Sequence, residues 1–197
     1  GQPGYLGNLA HIAHNWTTWS TLTASVRKGS SVEHRPPGAV PEEARPAFIA
    51  AMHHGMALHV KPVLNALDLT GVKTLLDVGA GSAGWTMAFV RAGADIHATA
   101  FDLPGILPLT RSYIDAEGMA DRISIAEGDY NVDPLPTGFD LVFMSSIVHI
   151  NSREQNARLI EKGAVALNPG GRLVVRDFIV DEDRAGPPQA APEATRA

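Results

Sequence analysis

Residues 77–84, Asp-Val-Gly-Ala-Gly-Ser-Ala-Gly, set an acid two places ahead of a Gly-x-Gly-x-x-Gly run. The run follows a short apolar stretch and precedes a helical pattern. In that context Gly79, Gly81 and Gly84 permit positive φ and let a ligand come close to the backbone. Nucleotide folds of several kinds share the motif, and a tight turn that binds nothing is the bland alternative. Further acids narrow the choice. Asp102 ends the next apolar stretch, where a carboxylate can accept from both hydroxyls of a ribose. Gly128-Asp129 ends a third, placed to accept from an adenine amino group. Asp77 itself would repel a pyrophosphate but attract an amino or hydroxyl group. Acids at three successive strand ends suit a ligand with ribose, adenine and a positive centre but no phosphate. S-adenosyl-L-methionine (AdoMet) fits that description better than NAD. Beyond a fourth apolar stretch, "SSIVHIN" carries His149, whose imidazole titrates near neutrality and suits a general base. A helix-capping or solvent histidine is the alternative. Asp177, after a fifth stretch, is either near the cleft or only a cap.

Those residues need a scaffold that gathers strand ends, and the rest of the chain supplies one. From residue 72 short apolar runs alternate with helical segments. "VKTLLDV", "ADIHATAFD", "RISIAEGD", "FDLVFMSS" and "RLVVRDFIV" read as strands. Residues 84–92, 104–118 and 153–167 read as helices; Ser152 with Gln155 forms a capping box for the last, and "NPGG" ends it. Alternation of this kind predicts an α/β fold, a Rossmann-like doubly wound parallel sheet of at least five strands, with ligands at the carboxyl ends. Before it, residues 5–27 place Leu9, Ile12, Trp16, Trp19, Thr23 and Val26 on one helical face, and Gly29 stops that helix. A second helical stretch opens at Pro41 and should be kinked or split at Pro62. The boundaries expected are 1–70 for the helical segment, 71–180 for the cofactor-binding domain and 181–197 for a disordered Pro/Ala-rich tail.

Composition removes several function classes. The 197 residues carry a net charge of -5, which gives no basic footprint for nucleic acid. Cysteine is absent, so neither a disulfide framework nor a thiolate metal site is available. The His11/His14 and His54/His59 pairs lack a third ligand at a compelling spacing, and no metal is expected. Without a signal-peptide pattern or a bilayer-length apolar run, the default expectation is a soluble cytoplasmic protein with no membrane partner.

"LLDVGAGSAG", "AFDLPGIL", "EGDY", "FDLVFMSSIVHI" and "ALNPGGRLVVRDFIV" stand in the order and spacing of class I AdoMet-dependent O-methyltransferases. The chain resembles the small-molecule type, which includes plant phenylpropanoid, hydroxyindole and bacterial polyketide-tailoring enzymes. The resemblance covers roughly residues 5–185. It implies that Gly79 and Gly81 approach the amino-acid part of AdoMet, that Asp102 with Leu103 binds the ribose, and that Asp129 with Tyr130 frames the adenine. Ser145 occupies the place where many members carry lysine and joins Asp77 among the cofactor residues. By the same resemblance His149 is the general base for a hydroxylated small-molecule acceptor, although Ile150 and Asn151 replace its usual acid and aromatic neighbours. "FIAAMHHGM" is similar to the family's F-N-x-A-M stretch. Phe48 and Met52, with His53 and Trp16, are therefore candidate walls of the acceptor pocket. Ala83 departs from the family glycine, and Gly84 is a possible compensation. Family members are usually homodimers through an additional N-terminal domain, and their sheet ends in two further strands. The expectation is a chain truncated at both ends, better suited to cofactor binding than to turnover and prone to self-association. Competing readings are a non-catalytic cofactor-binding remnant, a related enzyme doing non-methylation chemistry, and an NAD-linked dehydrogenase.

Overall fold

The computed structural model describes residues 3–32 and 40–179, and side chains from Asn8 onward. The expected tail at 181–197 and part of the loop after Gly29 lie outside the described residues. Five strands, β1 (Thr74–Val78), β2 (His97–Asp102), β3 (Ile123–Glu127), β4 (Phe139–Ser145) and β5 (Leu167–Arg176), form one sheet in the order β3-β2-β1-β4-β5. Every pairing is parallel. The order reverses between β1 and β4, which opens a crevice above the β1 and β4 carboxyl ends.

Helices cover both faces. On one lie α4 (Gly84–Ala92) and α5 (Leu107–Ala116), packed on Leu75, Ala98, Ala100, Leu141 and Phe143. On the other, α6 (Arg153–Ala166) covers Leu76, Val78, Val142 and Met144. The alternation of Leu75 and Leu76, or Leu141 and Val142, between the two cores is the two-residue period of a strand buried on both faces. Asp140 clamps the opposite ends of three strands. It accepts from the Lys73 and Thr74 amides at 2.9 Å and from Asn168 Nδ2 at 2.9 Å.

Three helices precede the sheet: α1 (Pro3–Trp19), α2 (Leu22–Lys28) and α3 (Arg45–Ala66). The single helix expected over 5–27 is broken. Ser20 and Thr21 turn their hydroxyls onto the Thr17 and Thr18 carbonyls at 2.6 and 2.7 Å, competing with the helical ladder. Pro62 does not split α3, which runs through it as one 22-residue helix. Val60, Val63 and Leu64 pack against the core and hold that turn despite the missing donor. "NPGG" lies inside β5 rather than before it, absorbed by a register irregularity opposite Phe139 and Leu141 with Gly170 at φ 82°. The predicted apolar face of α1 is coherent but points outward. Trp16 is 73% exposed and Leu9, Ile12, Trp19 and Val26 are exposed beside it. The side turned to α3 is polar: His11 meets Phe48 edge-on at 5.4 Å and pairs with Asn15 Nδ2 at 3.1 Å.

Candidate functional site

The turn from β1 into α4 takes its shape from left-handed residues. Gly79, Gly81 and Ala83 have φ of 74°, 56° and 56°. Alanine therefore adopts the conformation at the place of the family glycine, a strain of about 1–2 kcal/mol. Gly84 does not take over that role; it begins the helix, and its bare Cα lies against Met56 Sδ of α3. At Gly79 a Cβ would stand 2.8 Å from Ile147 Cγ2, with the Tyr130 ring beyond. The crevice is therefore narrow there because side chains crowd it from the β4 side.

The strand-end acids differ in environment. Asp77 is buried, and its Oδ2 accepts from the Thr86 hydroxyl at 2.6 Å and the Thr86 amide at 3.1 Å. It thus ties the β1 end to the first turn of α4. Burial pushes its carboxyl up to about 7, the Thr86 bonds opposing and the Asp102 charge adding to the rise. Asp102 accepts from the Gly81 and Leu103 amides, both at 2.7 Å, which leaves further lone pairs on each oxygen. Burial raises its carboxyl too. Asp129 turns back on its own loop, accepting from the Asn131 amide at 2.8 Å. Beside it Tyr130 is half-buried, its phenol pushed up to about 12 by burial and by the Asp129 and Asp102 charges. Ser145, at the carboxyl end of β4, has a buried hydroxyl with no hydrogen-bond partner. An orphaned hydroxyl at a strand switch point, a turn with glycine at 79 and 81 and an acid with spare lone pairs fit an adenosyl amino acid well.

The structure gives His149 a partner that the sequence left open. His149 Nδ1 lies 2.7 Å from Asp177 Oδ1, and the two side chains are 39% and 1% exposed. The Asp177 carboxylate also accepts from the Val148 amide at 2.8 Å and the Phe178 amide at 2.8 Å. A carboxylate in that place favours Nδ1 as the donor and Nε2 as the acceptor of the imidazole. The Phe178 ring meets the imidazole edge-on at 5.6 Å. Ser146, at φ 57°, accepts from Arg176 Nη1 at 2.8 Å and completes the turn out of β4.

The candidate acceptor walls are dispersed. Trp16 stands on the outer side of α1, Phe48 packs on His11, and Met52 is largely exposed. His53 turns to the β1–α4 turn and α5. It bonds Ser82 Oγ at 2.8 Å, lies over the Tyr113 ring at 4.6 Å and helps line an apolar groove of about 480 Å³ between α3 and α4. Among the described residues no cluster of His, Asp and Glu could hold a metal ion, and no helix is long and apolar enough to cross a membrane.

Residues 33–194 match the model of the O-methyltransferase domain family. The chain is similar to 3-hydroxy-5-methyl-1-naphthoate 3-O-methyltransferase of Streptomyces sahachiroi, with 30% identity over 97% of this chain and 57% of that protein. It is also 31% identical, over 90% of its length and 41% of the relative's, to aclacinomycin 10-hydroxylase RdmB of Streptomyces purpurascens. The solved apo structure of the AdoMet-dependent methyltransferase SibL superposes with a TM-score of 0.74 at 28% identity, covering 96% of this chain and 60% of that one. The chain thus spans about half the length of the curated relatives it matches.

Proposed function

The chain belongs to the O-methyltransferase domain family, and from that premise we propose that it is the AdoMet-binding part of an O-methyltransferase acting on a hydroxylated aromatic or polyketide-like small molecule. The observation that carries this reading is the Asp177-anchored imidazole of His149 just after β4, in the segment whose Ile147 packs on Gly79 of the β1–α4 turn. Gly79 and Gly81 would seat the amino-acid part of AdoMet with Asp77, Asp102 and Leu103 its ribose, Asp129 and Tyr130 its adenine, and Ser145 Oγ would gain a partner. Bound there, AdoMet supplies an electrophilic methyl group on a cationic sulfur. His149 Nε2 takes the proton from the acceptor hydroxyl, so that the oxygen bears negative charge as it attacks. Asp177 keeps the proton on Nδ1 and stabilises the imidazolium that forms, the logic of an acid–histidine pair in other transferases and hydrolases. The helical segment 1–70, through Phe48 and Met52, would wall the acceptor. A cytoplasmic homodimer of the full-length protein completes the reading, supported by the uncovered apolar face of α1 and α2.

Transfer of labelled methyl from AdoMet to a panel of phenols and hydroxynaphthoates tests the reading, with His149→Ala as the comparison. Equal rates in the two proteins would remove His149 from the base role. A second reading, non-methylation chemistry on the same scaffold, has the similarity to the 10-hydroxylase in its favour. Product mass separates the two, since methylation adds one CH2 and hydroxylation one oxygen.

A further inference from the structure

We propose that His53 is a positioning residue for the cofactor turn: α3 grips residues 81–84 from behind, and the His53–Ser82 hydrogen bond holds the backbone conformation that AdoMet meets. The proposal rests on the AdoMet reading above and adds to it a role for the helix expected to serve the acceptor.

Ile49, His53 and Met56 fall at i, i+4 and i+7 on α3 and so form one face. That face meets the turn position by position. Ile49 Cδ1 would lie 3.6 Å from a Cβ at Gly81, His53 Nδ1 bonds Ser82 Oγ at 2.8 Å, and Met56 Sδ fills the space over Gly84. From the other side Thr110 Oγ1 of α5 donates to the Gly81 carbonyl at 2.6 Å. The peptide units around Gly81 and Ser82 are therefore clamped between two helices. The turn needs such support. It strings together left-handed residues at 79, 81 and 83, one of them alanine, and strained backbone persists only where its surroundings over-determine it.

His53 suits the task better than an apolar residue would. The groove around it is lined mainly by Met56, Ala57, Val60, Leu64 and Met87. A leucine there would fill space but leave the buried Ser82 hydroxyl without this bond. Tyr113 stacks on the imidazole at 4.6 Å and 32° and fixes its plane. Burial lowers its pKa, which favours the neutral ring beside the turn.

Calorimetry of the protein with S-adenosyl-L-homocysteine (AdoHcy) tests this, with thermal melts recorded for each variant. His53→Ala and Ser82→Ala should each weaken AdoHcy binding about tenfold, the scale of one lost hydrogen bond. The double variant should be no weaker than either single one, because both remove the same bond. His53→Asn, whose short amide reaches the position of Nδ1, should recover most of the affinity. Wild-type affinity in His53→Ala, or full additivity in the double variant, overturns the proposal. If His53→Ala fails to fold, Ser82→Ala decides alone, and unchanged AdoHcy affinity overturns it. Should wild type itself bind no AdoHcy, the cofactor reading falls first and takes this inference with it.

Discussion

At the scale of single residues the proposed chemistry involves two carboxyl groups in opposite circumstances. Asp177 is satisfied by amides and an imidazole, so it stays an anchor. We expect His149→Ala to lower methyl transfer by roughly 10²–10⁴-fold. Asp177→Asn should lower it too, by freeing the tautomer, while leaving AdoHcy affinity within about twofold in calorimetry. Asp77 is the contrary case, because burial lifts its carboxyl to about 7 in the folded state. The native protein then binds that proton more tightly than the unfolded chain, so this group's contribution falls as pH rises from about 4 to about 7. The rise corresponds to roughly 4 kcal/mol as an order of magnitude. Asp77→Asn keeps an acceptor for Thr86, and its stability in urea melts should gain on wild type between pH 5 and 8. A constant difference across that range would show that Asp77 titrates normally. The place of His149 after β4 was legible, because a strand pattern ends just before it. Its bond to Asp177 was not, since only the pairing of β4 with β5 brings together residues 28 apart in sequence.

Elements show where periodicity informs and where it stops. The β1–α4 turn, the capping box of α6 and all five strands follow from local signals that agree with one another. The outward turn of α1 does not, because a stripe at helical spacing says that a face exists without saying what covers it. Polar contacts decide the seating instead: His11 and Asn15 take the α3 side and leave the tryptophans out. The closeness of α3 to α4 was likewise hidden, since Gly84 reads as part of a phosphate-type motif. Its observed use is to admit Met56. Gly84→Ala should therefore cost about 1–3 kcal/mol through overpacking. Adding Met56→Ala should return part of that loss, giving a coupling that denaturant melts of the four proteins would measure. Additive losses would mean that Met56 simply swings aside.

For the molecule as a whole, large apolar side chains line the outer side of α1 and α2. Trp16→Glu with Trp19→Glu should shift the protein toward monomer in light scattering and leave AdoHcy affinity untouched, since both side chains stand exposed on the outer side of the helical segment. An unchanged mass would assign self-association to some other surface. The fold class was readable from alternation alone, but the two edges of the sheet were not, because strand order is a property of crossovers. Among the described residues the outer strands are β3 and β5. The proposed cofactor acids sit on the inner strands and β3 side, whereas Asp177 directly follows β5 on the opposite flank. Fraying that begins at that flank would silence the proposed proton acceptor while the proposed nucleoside cradle still stands. Mild denaturant should then yield a form that captures AdoHcy yet transfers nothing, so loss of turnover would serve as an early gauge of damage to one border of the sheet.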